Sequence, residues 1–574
     1  MAWVKPTSVL LYNSAVNTMS ISFLWRHSVK GAAAVATILK REGVDNLFSF
    51  PINPVIDTGA ELGIRPIIAR TERTVVGMAD AYTRVTNGRR IGVCATQWGP
   101  GTENAFGGIA QAYSDSSPIL YLPAGFNQKR LDSEPTFEAV KNFQHVTKWA
   151  GRINYADRIP EFFRRAFTLL RAGRPGPVLV EMPSDVLSAE LDEAALAFNP
   201  VKGARTMADP AAVREAVKVL VAAKSPIIHA GVGILYAEAW EELRELAELL
   251  QAPVMTTLQG KSAFPEDHPL SLGASAAAAP RQLARYLAEA DVIFGAGSGL
   301  AVSSYDAPIP RGKVAVQLTV DERDFNRDYN TEYLVQGDAK LVLQQMIEEV
   351  QRQLGPEGRK GDGRVAQGIA AIREEWLKEW MPKLTSNATP MNPYRVIWDV
   401  QQAVDLRNTI ATHDAGTPRD MMVPFWKALE PNSYIGWGKS THLGYGIPLI
   451  LGAKVAKPEK TVLNIMGDLA FGMSGLEIET AARNHLGTLT IIFNNGLMGD
   501  YEKHLPNATR LYGARYISGD YTKIAEGLGA CAERVEKPDE IIPAVKRALQ
   551  SNQTGRPALL EMMTAEETAL SKYW

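Results

Sequence analysis

Asp468 and Asn495 each end a predicted apolar strand, over 461–466 and 488–493, with a helical segment predicted over 475–486 between them. In a right-handed βαβ unit both strands finish at one edge of the sheet, where open α/β sheets take ligands. A carboxylate and a side-chain amide are hard oxygen donors. They suit Mg²⁺ better than zinc, and Mg²⁺ usually completes its octahedron with phosphate oxygens and water. A helix N-terminus over 472–475 would turn backbone N–H groups toward the same phosphates. Taken singly, Asp468 also reads as a helix cap and Asn494-Asn495-Gly496 as a turn. Glu72, just ahead of a helix predicted over 74–84, reads by itself as a first-turn acid that complements the helix dipole. His413, in Thr412-His413-Asp414, has an imidazole able to shuttle protons near neutral pH, and reads equally well as a structural histidine.

These residues need elements to hold them. Strands predicted over 65–69, 91–96, 119–123 and 178–182 alternate with helix-length amphipathic segments, the pattern of βαβ units around parallel sheets. The expected fold is α/β, with three doubly wound parallel-sheet domains. An N-terminal extension (1–30) precedes domains over 31–190, 205–350 and 390–574, and the linker over 351–389 holds a charged, glycine-containing stretch, 355–364, that leads through a helical segment to the third domain. Gly173-Arg174-Pro175 and Gly555-Arg556-Pro557 each follow a basic helix and precede an apolar strand, an echo that points to a common origin for the first and third domains.

Composition narrows the function. Hydrophobic residues make up 46% and charged residues 22% of the 574, near the averages for globular proteins, which excludes a disordered chain. The formal charge is −2 with no long basic run, so neither nucleic acid nor a membrane surface is expected as a partner. Two cysteines, Cys94 and Cys531, exclude a disulfide scaffold and fit a reducing, cytoplasmic setting. No stretch approaches the roughly 18 apolar residues of a membrane span. The first 30 residues carry Lys5, Arg26 and Lys30 without an acid, a composition shared by organelle transit segments and by plain extensions.

The run Gly467-Asp468, the helix after it and Asn494-Asn495 resemble the diphosphate-binding signature of thiamine diphosphate (ThDP) enzymes of the acetolactate synthase, pyruvate oxidase and 2-oxoacid decarboxylase type. Acetolactate synthase-like large subunits are the nearest group. The resemblance implies Mg²⁺ held by Asp468, Asn495 and the carbonyl of Leu497, with Gly467, Leu469, Ala470 and Met498 also at the cofactor; Leu469 stands where the signature normally has glycine. Arg70-Thr71-Glu72-Arg73, continued by Met78-Ala79-Asp80-Ala81-Tyr82-Thr83-Arg84, is similar to the family's activating-glutamate motif. It implies that Glu72 bonds the aminopyrimidine and stabilises the imino form that deprotonates the thiazolium.

Leu443-Gly444-Tyr445-Gly446-Ile447-Pro448 looks like the motif whose bulky residue, here Leu443, wedges the cofactor into a bent shape. The carbonyl of Thr441 would then accept from the aminopyrimidine. Gly99-Pro100-Gly101 with Asn104 resembles the family's glycine loop. Gln97 and Trp98 would face the reacting centre, along with His413, Met498 and Tyr501. Between Gly125 and Trp149 there is no adjacent His pair of the pyruvate decarboxylase kind. The Phe-Gln pair of acetolactate synthases is out of register, Phe143-Gln144 lying too close to Thr147-Lys148.

The implied domains are pyrimidine-binding, central Rossmann-like and diphosphate-binding. In the central one Thr256-Thr257-Leu258-Gln259-Gly260-Lys261 matches the family closely. Gly295 to Gly299 follows a strand, but the arginine and His-Gly pair of the FAD-binding members are absent, so FAD is not expected to be required. The implied activity is decarboxylation of a 2-oxo acid to an enamine, then protonation or carboligation to an aldehyde or keto acceptor. It would be carried out by a homodimer or homotetramer. The alternatives are a 2-oxoacid decarboxylase without ligase activity and a non-catalytic regulatory protein on the same fold. An NAD-dependent oxidoreductase using Gly295 to Gly299 leaves Glu72 and the Asp468/Asn495 pair unexplained.

Overall fold

A computed structural model describes residues 28–499 and 501–574. Among them are three six-stranded sheets, each parallel throughout, and one two-stranded antiparallel ribbon. The three doubly wound α/β domains expected from the alternation are therefore present. Central strands such as Gly92–Thr96 and Ile119–Gly125 are buried at every position, which is why they read as unbroken apolar runs rather than as alternating ones.

The first sheet runs Arg65–Ile68, Asn46–Phe50, Gly92–Thr96, Ile119–Gly125, Val178–Pro183, Trp149–Arg152 from edge to edge. The third runs Tyr434–Ile435, Thr409–His413, Thr461–Gly467, Leu489–Asn494, Ala558–Met563, Cys531–Val535. Numbered within its own domain, each sheet has the order 2-1-3-4-6-5. The strands after the two Gly-Arg-Pro turns take the same place in both, so the sequence echo reflects one topology used twice. The central sheet is wound differently, as 3-2-1-4-5-6, the order of dinucleotide-binding folds.

The first and third domains share one core. Helix Glu72–Arg84 lies against helix Gly446–Ala456, and Val76, Met78, Ile447 and Ile450 belong to a single buried cluster. Helix Gly446–Ala456 is apolar nearly all round because it is covered on all sides. The close approach needs glycine: a Cβ on Gly452 would stand 2.0 Å from the Met78 carbonyl oxygen, and one on Gly77 2.5 Å from Pro448.

One expectation changes. The helix expected to begin at 472–475 starts at the aspartate itself, as Asp468–Ser474, followed by a 3₁₀ turn Gly475–Glu477 and helix Ile478–Arg483. Phe471, buried against Tyr521 at 5.3 Å between ring centres, anchors the first of these turns. The helical segment expected between the charged stretch and the third domain is helix Arg364–Leu384, which buries Trp376 and Trp380 against Phe425, with ring centres 4.7 and 5.2 Å away. Residues 1–27, and with them the transit-segment reading, lie outside the described residues, whereas Ser28–Lys30 pairs with Glu190–Asp192. Among the described residues no helix is long and apolar enough to cross a membrane.

Candidate functional site

Strands Thr461–Gly467 and Leu489–Asn494 are hydrogen-bonded neighbours, and their C-terminal ends meet as the βαβ argument required. Asp468 follows the first and Asn495 the second. The Gly496 N–H donates to Asp468 Oδ2 over 2.9 Å, and the Leu469 N–H donates to Oδ1 over 2.8 Å. Asn495 Oδ1 accepts from the Leu497 N–H at 3.2 Å. Gly496, with φ of 68°, occupies the left-handed region that this turn needs. Leu497 bridges to Tyr516, and the Met498 N–H donates to the Arg515 carbonyl, so the loop is tied to the segment after it.

Asp468 is 3% exposed, and burial raises its pKa against the lowering effect of the backbone donors. Gly467 has open space where a Cβ would stand, and Leu469 at the next turn is half-buried. Met498 is likewise half-buried, and Tyr501 is exposed.

In the first domain Glu72 is the opening residue of helix Glu72–Arg84, whose N-cap Thr71 accepts from the Thr74 N–H. The Glu72 carboxylate is 5% exposed, and Asn104 Nδ2 donates to it at 3.3 Å. Desolvation raises its pKa, opposed by its own backbone N–H and by Asn104. A Cβ on Gly101 would come within 2.6 Å of Gln97 Cγ and 3.2 Å of Glu72 Oε1, so the glycine loop leaves room for both. Gln97 is half-buried, and Trp98 is exposed beside Phe126.

The residue after Glu72 reaches the third domain. Arg73 Nη2 donates to the Met473 carbonyl at 3.0 Å, and Nη1 lies 3.3 Å from His442 Nδ1. Nearby, the Arg70 N–H and the Thr71 hydroxyl donate to the buried Glu477 carboxylate. His442 leans on the first domain rather than on the ligand edge, its Nε2 2.4 Å from where a Cβ on Gly107 would be. Leu443 is half-buried against the shared core. Thr441 has φ of 49°, a left-handed conformation rare for a β-branched residue.

His413 departs from its expected place. It ends the central strand Thr409–His413 with no exposure, stacked on Trp437 at 5.2 Å and 10°. Burial and the neighbouring cation Arg419 hold its pKa well below the ordinary value, which disfavours the charged imidazole and favours the structural reading. The next residue, Asp414, went unnoticed in the sequence. It is fully buried and accepts from the N–H groups of Ala415, Gly444 and Gly446 at 2.8, 2.9 and 2.8 Å, which fixes the turn after Leu443. Its signal was available, since it follows a strand at the edge that also carries Asp468.

Between the first and central domains lies a cavity of about 840 Å³, lined in part by Gly231, Gly297, Ser298, Arg174 and Lys439. Gly231 and Gly297 approach so closely that a Cβ on the former would be 2.3 Å from the latter's oxygen.

Family profiles match three stretches of the chain. Residues 29–147 match the thiamine pyrophosphate enzyme N-terminal TPP binding domain, 213–346 the central domain and 414–562 the C-terminal TPP binding domain. The chain is 31% identical to a probable acetolactate synthase large subunit of Methanococcus aeolicus, over 95% of this chain and 93% of the relative. A protein of the same description from Methanocaldococcus jannaschii is 31% identical over 94% and 93%. A glyoxylate carboligase of Escherichia coli O157:H7 is 28% identical over 95% and 94%.

Proposed function

The chain belongs to the thiamine pyrophosphate enzyme family, and from that membership we propose that it decarboxylates a 2-oxo acid and joins the remaining carbon unit to a second carbonyl compound or to a proton. The relatives named for acetolactate synthesis and for glyoxylate carboligation support a small 2-oxo acid as donor and carboligation as the outcome. The observation that carries the reading is the meeting of Asp468 with the Asn495-Gly496 turn, together with a buried carboxylate at Glu72.

Thiamine diphosphate, when bound, would supply a thiazolium carbon that becomes the nucleophile toward a 2-oxo group once deprotonated, and a ring able to take up the electron pair left by CO₂. Asp468, Asn495 and the Leu497 carbonyl would hold Mg²⁺ against its diphosphate. The donor set fits a hard cation: Asp468 is buried and bonded to backbone N–H groups, so lone pairs remain on its oxygens, and a divalent ion would offset its desolvation. Glu72 would exchange a proton with the aminopyrimidine, a role favoured by a raised pKa. Thr441 would offer its carbonyl to the same ring and Leu443 would hold the bend, with Gln97, Trp98, Met498 and Tyr501 at the substrate side. Decarboxylation and carboligation are redox-neutral, so the reading requires no flavin.

A homodimer or a dimer of dimers completes the proposal. Phe106 and Tyr113 on helix Pro100–Ser114, and Met473 and Leu476 at the end of the Asp468 helix and in the turn after it, are 39%, 44%, 48% and 58% exposed in the single chain, apolar side chains that a second copy would cover.

The test is to incubate the protein with ThDP, Mg²⁺ and a panel of 2-oxo acids, with and without aldehydes, and to identify the products. A 2-hydroxy ketone or 2-hydroxy-2-keto acid product supports carboligation. Aldehyde alone would identify a simple decarboxylase, and no product from any donor would favour a regulatory protein.

A further inference from the structure

Asp115 closes helix Pro100–Ser114 in the first domain, is 2% exposed, and has five donors converging on it from all three domains. Its Oδ2 accepts from Gln111 Nε2 at 2.5 Å, Arg84 Nη2 at 3.3 Å and the Gly438 N–H at 3.4 Å. Its Oδ1 accepts from Gln259 Nε2 of the central domain at 3.1 Å and the Lys439 N–H at 3.4 Å. Both of its oxygens are thus occupied as acceptors.

Two partners of Asp115 also grip the same stretch of the third domain. Gln111 Oε1 accepts from the His442 N–H at 3.0 Å, and Arg84 Nη1 donates to the Gly436 carbonyl at 2.9 Å. The segment from Gly436 to His442 is thus bonded to the first domain at four backbone positions, and Asp414 takes over at Gly444 and Gly446. Between these anchors Thr441 is held at φ of 49°. A β-branched residue there is strained, and such strain persists only where the surroundings over-determine the backbone.

We propose that Asp115 is a positioning residue for the cofactor: with Gln111 it fixes the 438–442 segment so that the Thr441 carbonyl keeps its direction and Leu443 its place. This rests on the assignment of Thr441 and Leu443 to the cofactor made above. Asp115 itself touches no reacting atom. In Asp115→Asn the amide N–H₂ would replace one of the two acceptor oxygens and face its donors, which in either orientation include a backbone N–H of the 438–439 pair, so the segment loses an anchor while the helix keeps its length.

The test follows ThDP binding, in the presence of Mg²⁺, by quenching of tryptophan fluorescence, Trp437 being adjacent to the segment. It is run on the full chain well below the melting temperature of either protein. Asp115→Asn should bind ThDP about ten- to hundredfold more weakly, the loss expected for charge-assisted hydrogen bonds. Its far-ultraviolet circular dichroism should match that of the wild type. Wild-type affinity in Asp115→Asn, whatever its melting temperature, overturns the positioning role and leaves the cofactor assignment standing. A wild-type chain that takes up no ThDP overturns the cofactor assignment and this role with it. If Asp115→Asn does not accumulate as folded protein, Gln111→Leu decides: weakened ThDP binding supports the role, and unchanged binding refutes it.

Discussion

The backbone N–H of Gly496 donates to the Asp468 carboxylate over 2.9 Å, tying together the ends of two adjacent parallel strands. Replacing Asp468 by Ala should weaken Mg²⁺ and ThDP binding together. The loss should be at least the roughly 10–100-fold seen when outer partners of a metal ligand are removed. Isothermal titration with each in the presence of the other measures both, and ThDP binding that survives loss of the metal site would separate the two sites.

Glu72→Gln tests the proton-exchange role. The amide keeps the size and a hydrogen bond to Asn104 but cannot change protonation, so turnover should fall by about 10²–10⁴-fold, the usual contribution of general acid–base catalysis. ThDP affinity should change little. Unchanged kcat would refute the assignment.

The same substitution has a pH signature in stability. Burial raises the Glu72 pKa above its ordinary 4.5, so the favourable contribution of the protonated form is present at low pH and lost as pH rises through the folded-state value. Without cofactor, Glu72→Gln should therefore melt higher than the wild type at pH 7–8. The difference should shrink as pH falls toward 4.5. Differential scanning fluorimetry across that range reads the trend, and a constant difference would mean that Glu72 is not desolvated.

His413 should leave no mark on the acid–base profile. Burial and the neighbouring Arg419 hold its pKa well below the ordinary value, which disfavours the charged imidazole. His413→Phe, which preserves an aromatic face for Trp437, should keep the wild-type shape of the kcat/KM profile over that range even if the overall level drops. A profile that loses an inflection near neutral pH would restore the imidazole as a proton carrier.

Gly452→Ala should strain the packing of the first and third domains. Its Cβ would lie 2.0 Å from the Met78 carbonyl oxygen, which belongs to a helical backbone and cannot swing aside. Overpacking of this kind costs about 1–3 kcal/mol, and the apparent melting temperature should fall by several degrees.

Much of the site could be read from residue order. Asp468 and Asn495 follow apolar strands of one βαβ unit, and the handedness of that unit puts strand ends at one edge whatever the rest of the chain does. Glu72, Leu443 and Thr441 stand in short motifs whose local order survives without knowledge of distant contacts. The three sheets were legible for the same reason: buried parallel strands leave continuous apolar runs.

Other features depended on what the chain brings together from afar. His413 and Asp414 are neighbours in one motif, yet the sheet buries the imidazole behind Trp437, while Asp414 caps the Gly444 turn. Asp115, Gln111 and Gln259 look like ordinary polar residues in the chain. They acquire a role only when three domains close around them, because hydrogen bonds across such sequence distances have no local pattern. Local periodicity and strand order therefore specify which groups reach the ligand edge; long-range packing specifies which of them stay accessible and how rigidly each is held.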